Sequence, residues 1–188
     1  MVGYLPRELE VAGKQYAIRT DFRDILKILV AFNDPELEDS ERVYICLFIL
    51  YEDFQRIPVQ DYEAAFKAAL SFIDQGAGES KKSAKRSPRV MDWEQDENLI
   101  FPAVNKVAGF ETRSVKYIHW WTFLGYYMEV SEGIFSTVLS LRMKKAKGKK
   151  LEKWEREFWA ANKDLCMLHE KLTEEEKAAK ERLNALLG

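Results

Sequence analysis

Apolar and polar positions alternate with a period of two at the start of the chain and with helical periods almost everywhere after it. From Glu8 to Ile18 the segments ELEV and QYAI flank Ala12-Gly13-Lys14, with Leu9/Val11 and Tyr16/Ile18 on alternate positions and Gly13 supplying the turn; this predicts a β-hairpin. Thr20 or Asp21 then caps a helix in which Phe22, Ile25, Leu26 and Leu29 recur at one-faced helical spacing, and Asn33-Asp34-Pro35 ends it. A second helix is predicted from about Ser40 to Asp53. It is apolar nearly all round, densest from Val43 to Tyr51, and is expected to be the most buried. A third spans about Asp61 to Asp74, with Tyr62, Ala65, Phe66, Ala69 and Ile73 on one face.

After Gly76 the pattern lapses. GAGESKKSAKRSPR is rich in Gly, Ser, Lys and Arg and reads as a linker over 76–90. A helix is expected to start near Asp92, with Asp92 and Asp96 on one face and Pro102 kinking or interrupting it before Gly109. The next, about Ser114 to Val130, carries Tyr117, Trp120, Trp121, Leu124, Tyr127 and Met128 as one broad aromatic face, and another opens at Ser131-Glu132 and fades by Gly148. Leu151, Trp154, Phe158, Ala161, Leu165, Leu168 and Leu172 then alternate spacings of three and four, a heptad seam predicting one long helix. Thr173 to Glu176 forms a capping box, restarting a helix that ends at Leu187. The summed expectation is a mainly α protein: a compact bundle of six to seven helices with a small N-terminal hairpin. Residues 1–150 form the helical domain and 151–188 a long charged C-terminal helix that protrudes or packs back.

Charge changes this picture in two places. The 188 residues sum to −2, yet 76–90 holds five basic residues and one acidic, and 141–150 holds six basic and none acidic. Nucleic acid is therefore one candidate ligand, through 81–89 and 142–150, although neither segment interleaves aromatics for base stacking. No apolar run approaches the roughly 18 residues of a membrane span. The N-terminus shows no secretory signal, and the two cysteines, Cys46 and Cys166, suit a reducing compartment.

Reactive constellations are sparse. His119 and His169 lie far apart and neither has a second ligand at metal spacing. Asp92 and Asp96 could hold a hard cation if other oxygens joined them, but an acidic first helical turn explains them with less. No phosphate-cradling glycine loop or nucleophile elbow occurs. No catalytic residue, metal or cofactor is expected, and the chain reads as a non-enzyme. The exposed side of the heptad stretch is the stronger candidate: Trp154, Phe158, Trp159, Leu165 and Leu168 would anchor a partner protein.

Four segments, VAGKQYAIRTDFRDIL, MDWEQDENLI, IHWWTFLGYY and FSTVLSLRMKK, occur here in an order that resembles the bacteriophage gene-product-fifteen family. The motif residues are Asp21, Phe22 and Arg23; Asp92 and Asp96; and His119, Trp120 and Trp121. The resemblance implies a phage or prophage tail-module protein. It further implies a tail assembly chaperone, acting in the host bacterial cytoplasm, that keeps the tape-measure protein soluble until tube subunits assemble around it. A structural tail component and a nucleic-acid-binding protein are the alternatives, and self-association is a further possibility for its partners.

Overall fold

The computed structural model describes residues 3–75, 88–169 and 171–187. Among these it contains one antiparallel hairpin, β1 (Glu8–Val11) and β2 (Lys14–Ala17), and nine α-helices: α1 (Phe22–Phe32), α2 (Asp39–Leu50), α3 (Tyr62–Ile73), α4 (Glu97–Ala108), α5 (Trp120–Met128), α6 (Ile134–Ala146), α7 (Lys153–Ala161), α8 (Lys163–Cys166) and α9 (Glu174–Leu187). The class is mainly α with a small hairpin, as the periodicity predicts. No described helix is long and apolar enough to cross a membrane.

In the hairpin Val11 pairs with Lys14, leaving the two-residue turn Ala12-Gly13. Both turn residues have positive φ, 49° and 79°, the geometry that matches the right-handed twist of the strands. Lys14 belongs to β2 rather than to the turn.

The main core gathers Phe22, Ile25 and Ile28 of α1, Cys46, Leu47 and Leu50 of α2, Ala65, Ala69 and Phe72 of α3, Ile100, Phe101 and Val104 of α4, and Trp120 and Phe123 of α5. At its centre Phe22 stacks on Phe123 with ring centroids 4.3 Å apart, and Phe101 closes on both at 6.2 and 6.0 Å. A smaller cluster of Val138, Leu141 and Cys166 joins α6 to α8, with Leu151, Phe158 and Trp159 packed on it. Leu99 of α4 touches both clusters.

Five sequence expectations are corrected. The second helix is not buried all round: Tyr44 and Phe48 of α2 are 52% and 56% exposed, because no element among the described residues covers that face. The fourth helix starts at Glu97, not at Asp92. Asp92 instead lies in a turn in which its carboxylate accepts the N–H groups of Glu94 and Gln95. Pro102 does not interrupt α4, which runs through it to Gly109. The aromatic helix starts at Trp120, because residues 115–119 are drawn out along the start of α1. The backbone N–H of Phe22 donates to the Ile118 carbonyl and that of Trp120 to the Thr20 carbonyl, at 3.0 and 2.7 Å. The heptad stretch is not one helix. It breaks at Asn162, whose amide donates to the Phe158 carbonyl, and again after Cys166. The restart at Thr173 holds, with Thr173 and Glu176 exchanging the two capping-box bonds at 2.9 and 3.1 Å. Most of the predicted 76–90 linker lies outside the described residues.

Candidate partner-binding surfaces

The motif residues Asp21, Arg23, His119, Trp120 and Trp121 form one structural latch. Asp21 caps α1 by accepting the Arg23 N–H, and its other oxygen accepts the Ile118 N–H at 3.1 Å. Arg23 pairs with Asp21 and reaches across to the Val115 carbonyl at 2.6 Å. His119 is the N-cap of α5: its Nδ1 accepts the Trp121 N–H at 3.1 Å, which leaves Nε2 to donate to the Pro6 carbonyl at 2.9 Å. Burial pushes the imidazole pKa down, Arg7 adds to this, and the Pro6 bond opposes it. The two tryptophans then cap a different helix. Trp120 Nε1 donates to the Ile73 carbonyl at 2.9 Å and Trp121 Nε1 to the Phe72 carbonyl at 2.8 Å. Both carbonyls belong to the last turn of α3, where intrahelical donors run out; that of Phe72 also accepts the Gln75 N–H at 3.2 Å. Each polar handle of the His-Trp-Trp motif is thus spent on a backbone group.

Asp92 and Asp96 build a second latch. Arg142 of α6 makes a two-pronged pair with Asp96 at 2.7 and 2.9 Å, and its remaining N–H groups donate to the carbonyls of Val90, Leu165 and Cys166. All five guanidinium donors are satisfied in a site where Arg142 is 5% and Asp96 2% exposed. Capture of the Leu165 and Cys166 carbonyls also explains why α8 stops there. Burial alone would raise the Asp92 pKa. The Gln95 N–H, Lys171, the Glu94 N–H and Arg89 outweigh it and hold this carboxylate below its usual range. The carboxylates are therefore committed to cations and backbone donors. No group of described residues has the makings of a metal site, and His119 belongs to the other latch.

The partner-binding candidates of the C-terminal stretch are spread over two short helices and a loop. Trp154 is 57% and Leu165 39% exposed. Phe158 and Trp159 are half-buried against the α6–α8 cluster, and Leu168 is half-buried in the loop beyond α8. The basic run is divided: Arg142 is internal, Lys144 pairs with buried Glu155, and Lys145 lies 3.9 Å from the centroid of the Trp159 ring. Of the described part of 81–89, Arg89 pairs with Asp92.

One surface is not anticipated by the periodicity. Tyr44 and Phe48 stack side by side on the outside of α2, with centroids 6.1 Å apart at 9°, and both pack edge-on against Phe54. Phe54 in turn contacts Tyr62 of α3. The available signal was that α2 has apolar residues on every face, more than one side of a helix at the edge of a bundle can bury. The broad aromatic face predicted for α5 is, by contrast, largely sealed: Trp120 and Phe123 are buried, and only Met128 at its end and Tyr117 before it are well exposed.

Neither a curated protein nor a solved structure matches the chain. The family model described as bacteriophage Gp15 protein does, over residues 1–168, which takes in the hairpin, both latches and the helices through α8. The chain is a member of the bacteriophage Gp15 protein family.

Proposed function

We propose that this protein is a phage assembly factor that holds another tail protein, the tape-measure protein, by covering its apolar helical faces without chemical change. The observation that carries this reading is the open aromatic pair Tyr44–Phe48, set on a firm base of Phe54 and Tyr62. Exposed aromatics that rest on fixed neighbours are suited to anchoring a partner, because little side-chain freedom remains to be lost on binding. Trp154 and Leu165 extend the accessible apolar surface on the C-terminal side, with Phe158, Trp159 and Leu168 as their support. The polar residues of the motifs are engaged in latches, which favours a binding role over a reactive one. Family membership supplies the phage context.

The test is co-expression with the tape-measure protein encoded by the same phage. The tape-measure protein is expected in the soluble fraction, co-purifying with the unaltered chain and lost from it with Tyr44→Gln/Phe48→Gln. A tape-measure protein that stays insoluble in the presence of the folded, unaltered chain overturns the reading. Mass spectrometry of finished particles separates a transient holder, which is missing from them, from a structural component.

A further inference from the structure

The junction of α6 and α7 carries a small cleft of about 440 Å³ lined by Lys145, Gly148, Lys149, Leu151, Arg156 and Trp159. Two helix caps build it. At the end of α6, Gly148 adopts φ 65°, its N–H donates to the Lys145 carbonyl, and the Lys149 N–H donates to the Lys144 carbonyl. This closing turn fixes Lys149 beside Lys145. At the start of α7, Glu152 and Glu155 exchange capping-box bonds, and Arg156 donates to the Leu151 carbonyl at 2.9 Å. The floor is apolar, formed by half-buried Leu151 and Trp159. The rim carries three exposed cations, and none of Lys145, Lys149 and Arg156 is paired with a carboxylate among the described residues. Lys145 and Lys149, at the C-terminus of α6, suit the helix dipole, but Arg156, near the start of α7, does not, and the three together around an apolar floor present a charge that no carboxylate among the described residues answers.

We infer that the α6–α7 cleft binds an acidic segment of a partner protein, with carboxylates on Lys145, Lys149 and Arg156 and an apolar side chain between them on Leu151 and Trp159. Charge complementarity selects the occupant, and the apolar floor selects a peptide over a nucleic-acid strand. A strand would need an open aromatic face on which to stack, but Lys145 covers one side of Trp159 and the ring packs on the α6–α8 cluster. The inference rests on the reading of the chain as an interaction protein, and not on which tail protein is its partner.

The probe is a fluorescein-labelled amphipathic peptide of roughly 20 residues, leucines at helical spacing and glutamates between, titrated with the full chain by fluorescence anisotropy. Lys149→Glu and Lys145→Glu are each expected to weaken binding by about tenfold or more, while Lys116→Glu, the same charge change on an exposed residue elsewhere, leaves it within about twofold. Replacing the leucines by serines is expected to weaken binding to the unaltered chain, and the Trp159 indole N–H resonance to move on titration. Equal binding by all variants, equal loss in Lys116→Glu, or displacement of the peptide by a thymidine oligonucleotide of the same length at lower concentration overturns it. These outcomes are independent of the co-expression result, so either reading can fail alone.

Discussion

Helices α2 and α5 are both rich in aromatics, yet one leaves its rings open and the other hides them. In α5, Trp120 and Phe123 are 1% and 0% exposed, Phe123 is stacked on Phe22, and each tryptophan of the pair gives its N–H to a carbonyl at the end of α3. In α2, Leu47, Leu50 and Cys46 face the core while Tyr44 and Phe48 stack on each other outside it. The difference lies in what stands opposite. Helix α5 is flanked by helices that need both its apolar area and its indole donors. Among the described residues, the outer side of α2 meets only the edge of Phe54.

The contrast can be broken most strongly from the sealed side. Phe123→Ala removes the ring at the meeting point of α1, α4 and α5 and is expected to cost about 3–5 kcal/mol, read from denaturant unfolding. A loss below about 1 kcal/mol would mean that the junction is not the centre of the core. Trp120→Phe keeps much of the apolar body but orphans the Ile73 carbonyl, with an expected loss of about 1–3 kcal/mol and faster amide exchange in the last turn of α3.

Acid should act on the same latch. His119 accepts the Trp121 N–H through Nδ1, so protonation ends the cap. Its pKa is depressed in the folded state, first by burial. The neutral ring therefore contributes stability that is present above the ordinary histidine value and is lost as pH falls through the folded one. The melting temperature is expected to fall between about pH 7.5 and about pH 5.5, and the fall to shrink in His119→Asn, which keeps a capping oxygen. An unchanged slope in that variant would assign the effect to other groups.

The smallest stability effect belongs to the open side. Tyr44→Gln and Phe48→Gln are each expected to leave unfolding free energy within about 0.5 kcal/mol, while reducing capture of the partner. If they destabilise as much as Trp120→Phe, the two helices are alike after all.

The sequence signals resolve unevenly, for physical reasons. Gly13 and Asp21 place the hairpin and the start of α1 because turn chemistry and capping are local, and Asn33 to Pro35 place its end in the same way. The start of α5 is not local: residues 115–119 follow helical spacing, but bonds to Thr20 and Phe22 hold them extended. The heptad seam is similarly overridden at Asn162 and by Arg142, whose claim on the Leu165 and Cys166 carbonyls spans more than 20 residues. The role of Asp96 depends on that same arginine, 46 positions away. Heptad spacing offers residues 154, 158 and 159 as a candidate partner surface, of which Trp154 is exposed and the other two are half-buried, whereas the apolar run that holds Tyr44 and Phe48 reads as core because apolarity gives no sign of a missing neighbour.

The arginine at 142 has a further consequence during synthesis. Its acceptors come from Val90, Asp96, Leu165 and Cys166, so two of its five bonds await chain that leaves the ribosome later. A nascent chain halted just after α6 could join Asp96 to Arg142 but would leave donors without protein acceptors beside the α4–α6 seam. Emergence of α8, rather than of the first six helices, is the step that supplies the last two acceptors and lets this ion pair be fully enclosed.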